Sequence, residues 1–173
     1  EGDLLNLHGK IVENYYPMLK VTSKCILDQP YGIHDDETEA LAVPKIIDLA
    51  RNWKDIDAFI ISCAGDPGVS ELRKILDIPV IGAGESTAMI ARRYGNIFGV
   101  LGITDEIPAS YTRILGDNIV GTWNIPGIVS TLDLMTDEGR EKVINKALEL
   151  KSLGAEVIAL ACTGMATIGI AKE

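Results

Sequence analysis

Four short apolar runs constrain this chain most: "DAFIISC" (57–63), "IPVIG" (78–82), "NIFGVLGI" (96–103) and "EVIALAC" (156–162). Consecutive rather than alternating apolar residues read as strands covered on both faces. Helical patterns separate them, and strands alternating with helices build a parallel sheet wound on both faces. The expected class is therefore α/β.

Helical spacing of Leu4, Leu7, Ile11, Val12 and Tyr15 predicts an amphipathic helix over 3–16. "MLKVTSKCILD" alternates in part and predicts a strand over 19–27. A helix follows, capped by Asp35 or Asp36 and interrupted or kinked at Pro44. Asp66 reads as an N-cap with Pro67 at the first helical position. Glu85 or Ser86 opens a helix ending before Gly95, and another helix covers 107–116. The longest helix is expected over 137–153, closed by Gly154. The chain opens on a helix and closes inside one, which predicts a fragment or the ordered part of a longer chain.

Two of the apolar runs end alike. "AFIISCAGDPG" (58–68) and "VIALACTGM" (157–165) each finish on a cysteine, with glycine two positions later and a helix start beyond. The two passages lie too far apart for a solenoid period, but suit two similar lobes, 1–95 and 96–173. Ligands of parallel sheets bind beyond the carboxyl ends of the strands, where Cys63 and Cys162 fall. The backbone N–H groups of Ala64, Gly65, Thr163 and Gly164 would sit at helix N-termini, favouring negative charge and pushing each thiol toward thiolate. Glycine at the second position leaves room for a ligand.

Two facing thiols can move a proton across a carbon next to a carbonyl. One thiolate removes it, the opposite thiol returns one to the other face, and oriented N–H groups hold the enolate oxygen. No metal and no cofactor is required. The same cysteines also read as buried core residues, or as a redox disulfide. Cys25, mid-strand with no glycine after it, reads as structural. His8 reads as a surface or packing histidine. The acids of "GIHDDE" read as helix caps rather than metal ligands, and "GAGES" is only a fragment of a phosphate-loop fingerprint.

Composition narrows the partners. Sixteen basic against 25 acidic residues give a net charge of −9, which repels nucleic acid and anionic membranes, and 5% aromatic content offers few stacking platforms for bases. The charge-free run Val157 to Ala171 is shorter than the ~20 residues that span a bilayer. Three cysteines without zinc spacing fit a reducing cytoplasm.

"SCAGDPG", then "IPVIGAGES" and, far downstream, "ALACTGMA" resemble the hydantoin racemase branch of the aspartate/glutamate racemase superfamily. The resemblance runs over nearly the whole chain. It implies two α/β lobes related by a pseudo-twofold axis with the site between them, no cofactor, a small-molecule substrate and a homo-oligomer. It places the acid/base pair on Cys63 and Cys162, and makes Thr104 and, less directly, Ser86 substrate contacts. Relatives acting on free aspartate or glutamate keep polar residues around the cysteines. "CAGDPG" and "CTGMA" depart from that and favour a 5-substituted hydantoin or allantoin. Family members also begin with a strand and continue past the second cysteine, two segments expected to lie outside this chain. Within the superfamily, malonate-type decarboxylation and maleate isomerisation are alternatives. Outside it, a non-catalytic small-ligand-binding α/β module is another.

Overall fold

The computed structural model describes residues 5–29 and 32–172. Helix α1, Leu7–Tyr15, leads into residues 18–26, which form no strand. The start predicted for this helix at residue 3 lies outside the described residues. The strand predicted over 19–27 is absent. Val21 N–H donates to Glu13 Oε1 at 2.8 Å instead of to a neighbouring strand. Leu19 and Leu27 are left exposed.

Helix α2, Asp36–Asn52, begins in a capping box in which Asp35 accepts from the Thr38 N–H and Thr38 answers the cap. Pro44 neither interrupts nor ends it. Both Pro44 and Ala40, whose carbonyl loses its helical donor, face solvent, so water can take over that bond. At 17 residues α2 is one longer than the helix predicted to be longest.

Strand β1, Phe59–Ile61, helix α3, Val69–Ile75, and strand β2, Val80–Gly82, form the first unit. β1 and β2 pair in parallel, Phe59 opposite Val80. One face packs Phe59, Ile61 and Val80 against Ala42, Ile46 and Ala50 of α2 and Val69 and Leu72 of α3. The other face is open: Ile60 and Ile81 are 43% and 39% exposed, so these strands are not covered on both sides as predicted.

Helix α4, Ala83–Ala91, starts directly after β2, two to three residues earlier than predicted. Strand β3, Phe98–Leu101, helix α5, Ala109–Leu115, helix α6, Asp137–Ser152, and strand β4, Val157–Leu160, make the second unit. β3 and β4 are parallel, and all four β3 residues are buried. One side of this sheet packs on Ala88, Ala91, Tyr111 and Leu115 from α4 and α5. The other side packs on Val143 and Leu150 of α6 with Leu134 and Met165. The chain ends in helix α7, Gly164–Thr167, and a 3-10 turn at Ile170–Lys172. An α/β architecture with parallel strands is the result.

Candidate active site

Both cysteines lie just past strand ends. β1 stops at Ile61 and delivers Cys63. β4 stops at Leu160, one ladder bond from Ala161 N–H to the Leu101 carbonyl (2.6 Å) carries the chain on, and Cys162 follows. Tyr111, fully buried, donates its hydroxyl to the Leu160 carbonyl at 2.7 Å and so holds this strand end from α5. Cys162 is 8% exposed and Cys63 half-buried.

The two turns meet. Thr163 Oγ1 donates to the Ser62 carbonyl at 3.4 Å, joining the neighbours of both cysteines. The thiols are close enough that charge on Cys162 raises the pKa of Cys63. Tyr111 feels both thiols as well, and burial above all holds its hydroxyl protonated.

The expected drift toward thiolate is reversed. Burial pushes the Cys63 thiol up, and the Gly65 N–H beside it opposes this only in part. Any charge on Cys162 raises it further, as do the carboxylates of Asp66 and Glu39. Burial likewise raises Cys162, against N–H donors from Gly164 and Met165. The physical reason is that removal from water outweighs one or two backbone donors.

The turn after Cys63 also departs from prediction. Asp66 does not cap α3, whose N-cap is Gly68 at φ 72°. Asp66 itself sits at φ 57°, and its carboxylate accepts from the N–H groups of Gly84 (2.7 Å) and Glu85 (2.6 Å), capping α4 instead. Burial nevertheless raises its pKa, as it does that of Glu39. Ala64 and Gly65 therefore precede the helix start by several residues. Gly84 has to be glycine, because a Cβ there would collide with the Ala64 carbonyl oxygen. Ser110 Oγ, buried against that same position, completes no hydrogen bond among the described residues, although it stands near enough to Asp66 to lower its pKa.

The remaining predicted residues are spread out. A Cβ at Gly65 would stand 3.9 Å from Cys63 Sγ, so glycine leaves that approach open. Gly164 is enclosed by Thr131 and Leu134. Thr104 follows β3, and its hydroxyl donates to the Glu106 carbonyl at 2.7 Å rather than to either thiol. Ser86 lies on α4 in a separate shallow groove with Tyr94, Val157 and Ile158. Cys25 is exposed, not structural core.

His8, expected to be a surface or packing histidine, is half-buried. Its ring is not a surface ornament of α1. Nδ1 lies 2.8 Å from Ser62 Oγ and Nε2 lies 3.2 Å from the Thr163 carbonyl, so one side chain reaches the neighbours of both cysteines. No motif surrounds it, and only the tertiary contact marks it. Asp35 and His34 serve the cap of α2, as expected of "GIHDDE".

Parallel α/β units whose strand-end cysteine turns meet define the class of fold. Within that class the chain belongs to the Asp/Glu/Hydantoin racemase family, whose model matches residues 7–173. It is similar to the hydantoin racemases of Pseudomonas sp. (strain NS671), 26% identical over 159 residues, and of Rhizobium meliloti, 28% identical over 153. These alignments take in 83% and 82% of this chain but 61% and 62% of the relatives, so it spans about three fifths of their length. Among solved structures it is similar to allantoin racemases from Klebsiella pneumoniae (TM-score 0.77, 22% identity, 90% of this chain and 68% of that one) and Pseudomonas fluorescens (0.78, 21%, 96% and 77%). These likenesses show the fold. Among the described residues no helix is long and apolar enough to cross a membrane.

Proposed function

We propose that this chain carries the site of a cofactor-independent racemase of 5-substituted hydantoins or related cyclic ureides such as allantoin. In this reading, lobes 1–95 and 96–173 are related by a pseudo-twofold axis, and Cys63 and Cys162 are the acid/base pair between them. The observation that carries it is that the turns holding the two cysteines meet, with Thr163 Oγ1 donating to the Ser62 carbonyl.

The reactive form of the pair holds one thiolate and one thiol, because ionising the second is opposed by the first. The thiolate takes the proton from the ring carbon, and that C–H electron pair moves into the adjacent carbonyl as an enolate. The opposite thiol then protonates the carbon on its other face. The cysteines end with their protonation states exchanged. Backbone N–H groups of Ala64, Gly65, Thr163 and Gly164 are the proposed enolate contacts, with Thr104 proposed as an outer substrate contact.

The anionic field at Cys63, from Asp66 and Glu39, supports a neutral ring over free aspartate or glutamate. A second carboxylate would meet like charge there. The names of the similar proteins point the same way.

The raised thiol pKa values favour one other reading, a binding module with structural cysteines. One experiment separates them. The full-length protein is given each enantiomer of 5-benzylhydantoin and of allantoin in deuterium oxide, followed by proton NMR and optical rotation. Loss of the α-proton signal together with decay of rotation supports racemisation. No exchange on any of them overturns it.

A further inference from the structure

His8 sits in the first turn of α1, far along the chain from either cysteine, yet its ring lies between the two cysteine turns. The chemistry of the partners fixes what the ring must do. The Thr163 carbonyl only accepts, so Nε2 carries a hydrogen and donates to it at 3.2 Å. Nδ1, 2.8 Å from Ser62 Oγ, then accepts the serine hydroxyl in the neutral ring. Both nitrogens are used, one on each turn.

The ring is itself anchored. Gly9, the next residue, is buried so closely that a Cβ would stand 3.0 Å from Ser23 Oγ and from Val21. Val21 is bonded back to α1 through Glu13. The helix and the segment after it therefore form a strap rather than a loose arm. Among the described residues, the direct bond between the turns, Thr163 Oγ1 to the Ser62 carbonyl, is long at 3.4 Å.

We propose that His8 is a positioning residue: its imidazole bridges Ser62 and Thr163 and thereby sets the separation of the Cys63 and Cys162 thiols. Ser62 and Thr163 are the chain neighbours of the two cysteines, so a shift of either moves a sulfur. Proton transfer from one face of a carbon to the other tolerates little error in that separation. The role in catalysis rests on the two-thiol reading above; the bridge itself does not.

The test uses the full-length protein with His8→Leu, His8→Gln and Ser62→Ala. Glutamine carries a donor and an acceptor on one planar amide and can replace both bonds; leucine replaces neither. Racemisation of 5-benzylhydantoin gives kcat and KM. Iodoacetamide labelling of Cys63 and Cys162, followed by peptide mass spectrometry with exposed Cys25 as internal reference, reports the turns independently of activity.

His8→Leu is expected to lose about tenfold to a hundredfold in kcat, with much less change in KM. Labelling of Cys63 and Cys162 rises together relative to Cys25. His8→Gln recovers most of both, and Ser62→Ala falls between. Wild-type kcat in His8→Leu overturns the catalytic role. A His8→Gln variant as slow as His8→Leu, with unaltered labelling, also overturns it, because the ring would then be moving a proton. If the unaltered protein racemises nothing, the two-thiol reading fails but labelling still decides the bridge: unchanged rates in His8→Leu sink it. Should His8→Leu fail to fold, Ser62→Ala, a single exposed hydroxyl, carries the same readouts.

Discussion

The turns after Cys63 and Cys162 share the pattern Cys–x–Gly and are built differently. After Cys63 the chain spends several residues in a wrap that needs two left-handed positions, Asp66 and Gly68, before α3 begins. After Cys162 the helix starts almost at once, at Gly164. Cys63 is half-buried among Asp66 and Glu39, with one N–H donor. Cys162 is buried, with two N–H donors and no carboxylate acting on it. A repeated motif thus positions two thiols alike while placing carboxylates around only one of them. Burial opposes ionisation at both, and the carboxylates add to it only at Cys63.

The largest effect that would break this comparison comes from the thiols themselves. Cys63→Ser and Cys162→Ser are each expected to lower racemisation by roughly 10²- to 10⁴-fold, the usual contribution of a general acid or base. Retained racemisation in both variants, measured by polarimetry, would remove the two-thiol mechanism and leave only the structural likeness of the turns.

Backbone approach distinguishes the turns next. Gly84→Ala forces a Cβ into the Ala64 carbonyl and should cost about 1–3 kcal/mol in denaturant melts. It should change iodoacetamide labelling of Cys63 and leave Cys162 nearly unaltered. Equal changes at both would show that the turns respond as one body. Tyr111→Phe is the counterpart for the other turn. Losing the bond to the Leu160 carbonyl should cost about 1 kcal/mol and affect Cys162 first.

The pH dependence sharpens the electrostatic difference. Both thiols lie above their ordinary range, so the thiolate fraction at pH 7 is small, and it grows as pH rises through the raised pKa. Labelling rates and kcat/KM should therefore still be climbing above pH ~8.5, the usual thiol value. A plateau by pH 7 would contradict the direction of both shifts. The smallest expected effect is from Asp66→Asn, which keeps an acceptor for α4 but removes a charge near Cys63. The labelling profile of Cys63 should move to lower pH while that of Cys162 stays in place. Movement of both by the same amount would mean that the field is shared, not local.

Much of the fold was legible because it depends on local pattern. The runs around Phe59, Val80, Phe98 and Val157 became parallel strands, and Asp35 caps its helix. The 19–27 segment misled because period-2 alternation says nothing about whether a partner strand is present to take its N–H groups. The site was legible as far as two strand-end thiols. Its electrostatics were not: the N–H donors are visible in the motif, whereas Asp66, Glu39 and the burial that outweighs them come from elsewhere in the fold.

By itself the sequence determined that this chain is parallel α/β and where along it Cys63 and Cys162 stand, since both follow from hydrophobic runs and the residues that end them. Tertiary structure alone decided that Asp66 caps a helix other than the one it precedes, that Ile60 and Ile81 are left on an open face, and that His8 meets both cysteine turns. Those outcomes depend on which distant surfaces come together and exclude water, and no spacing within one segment encodes that.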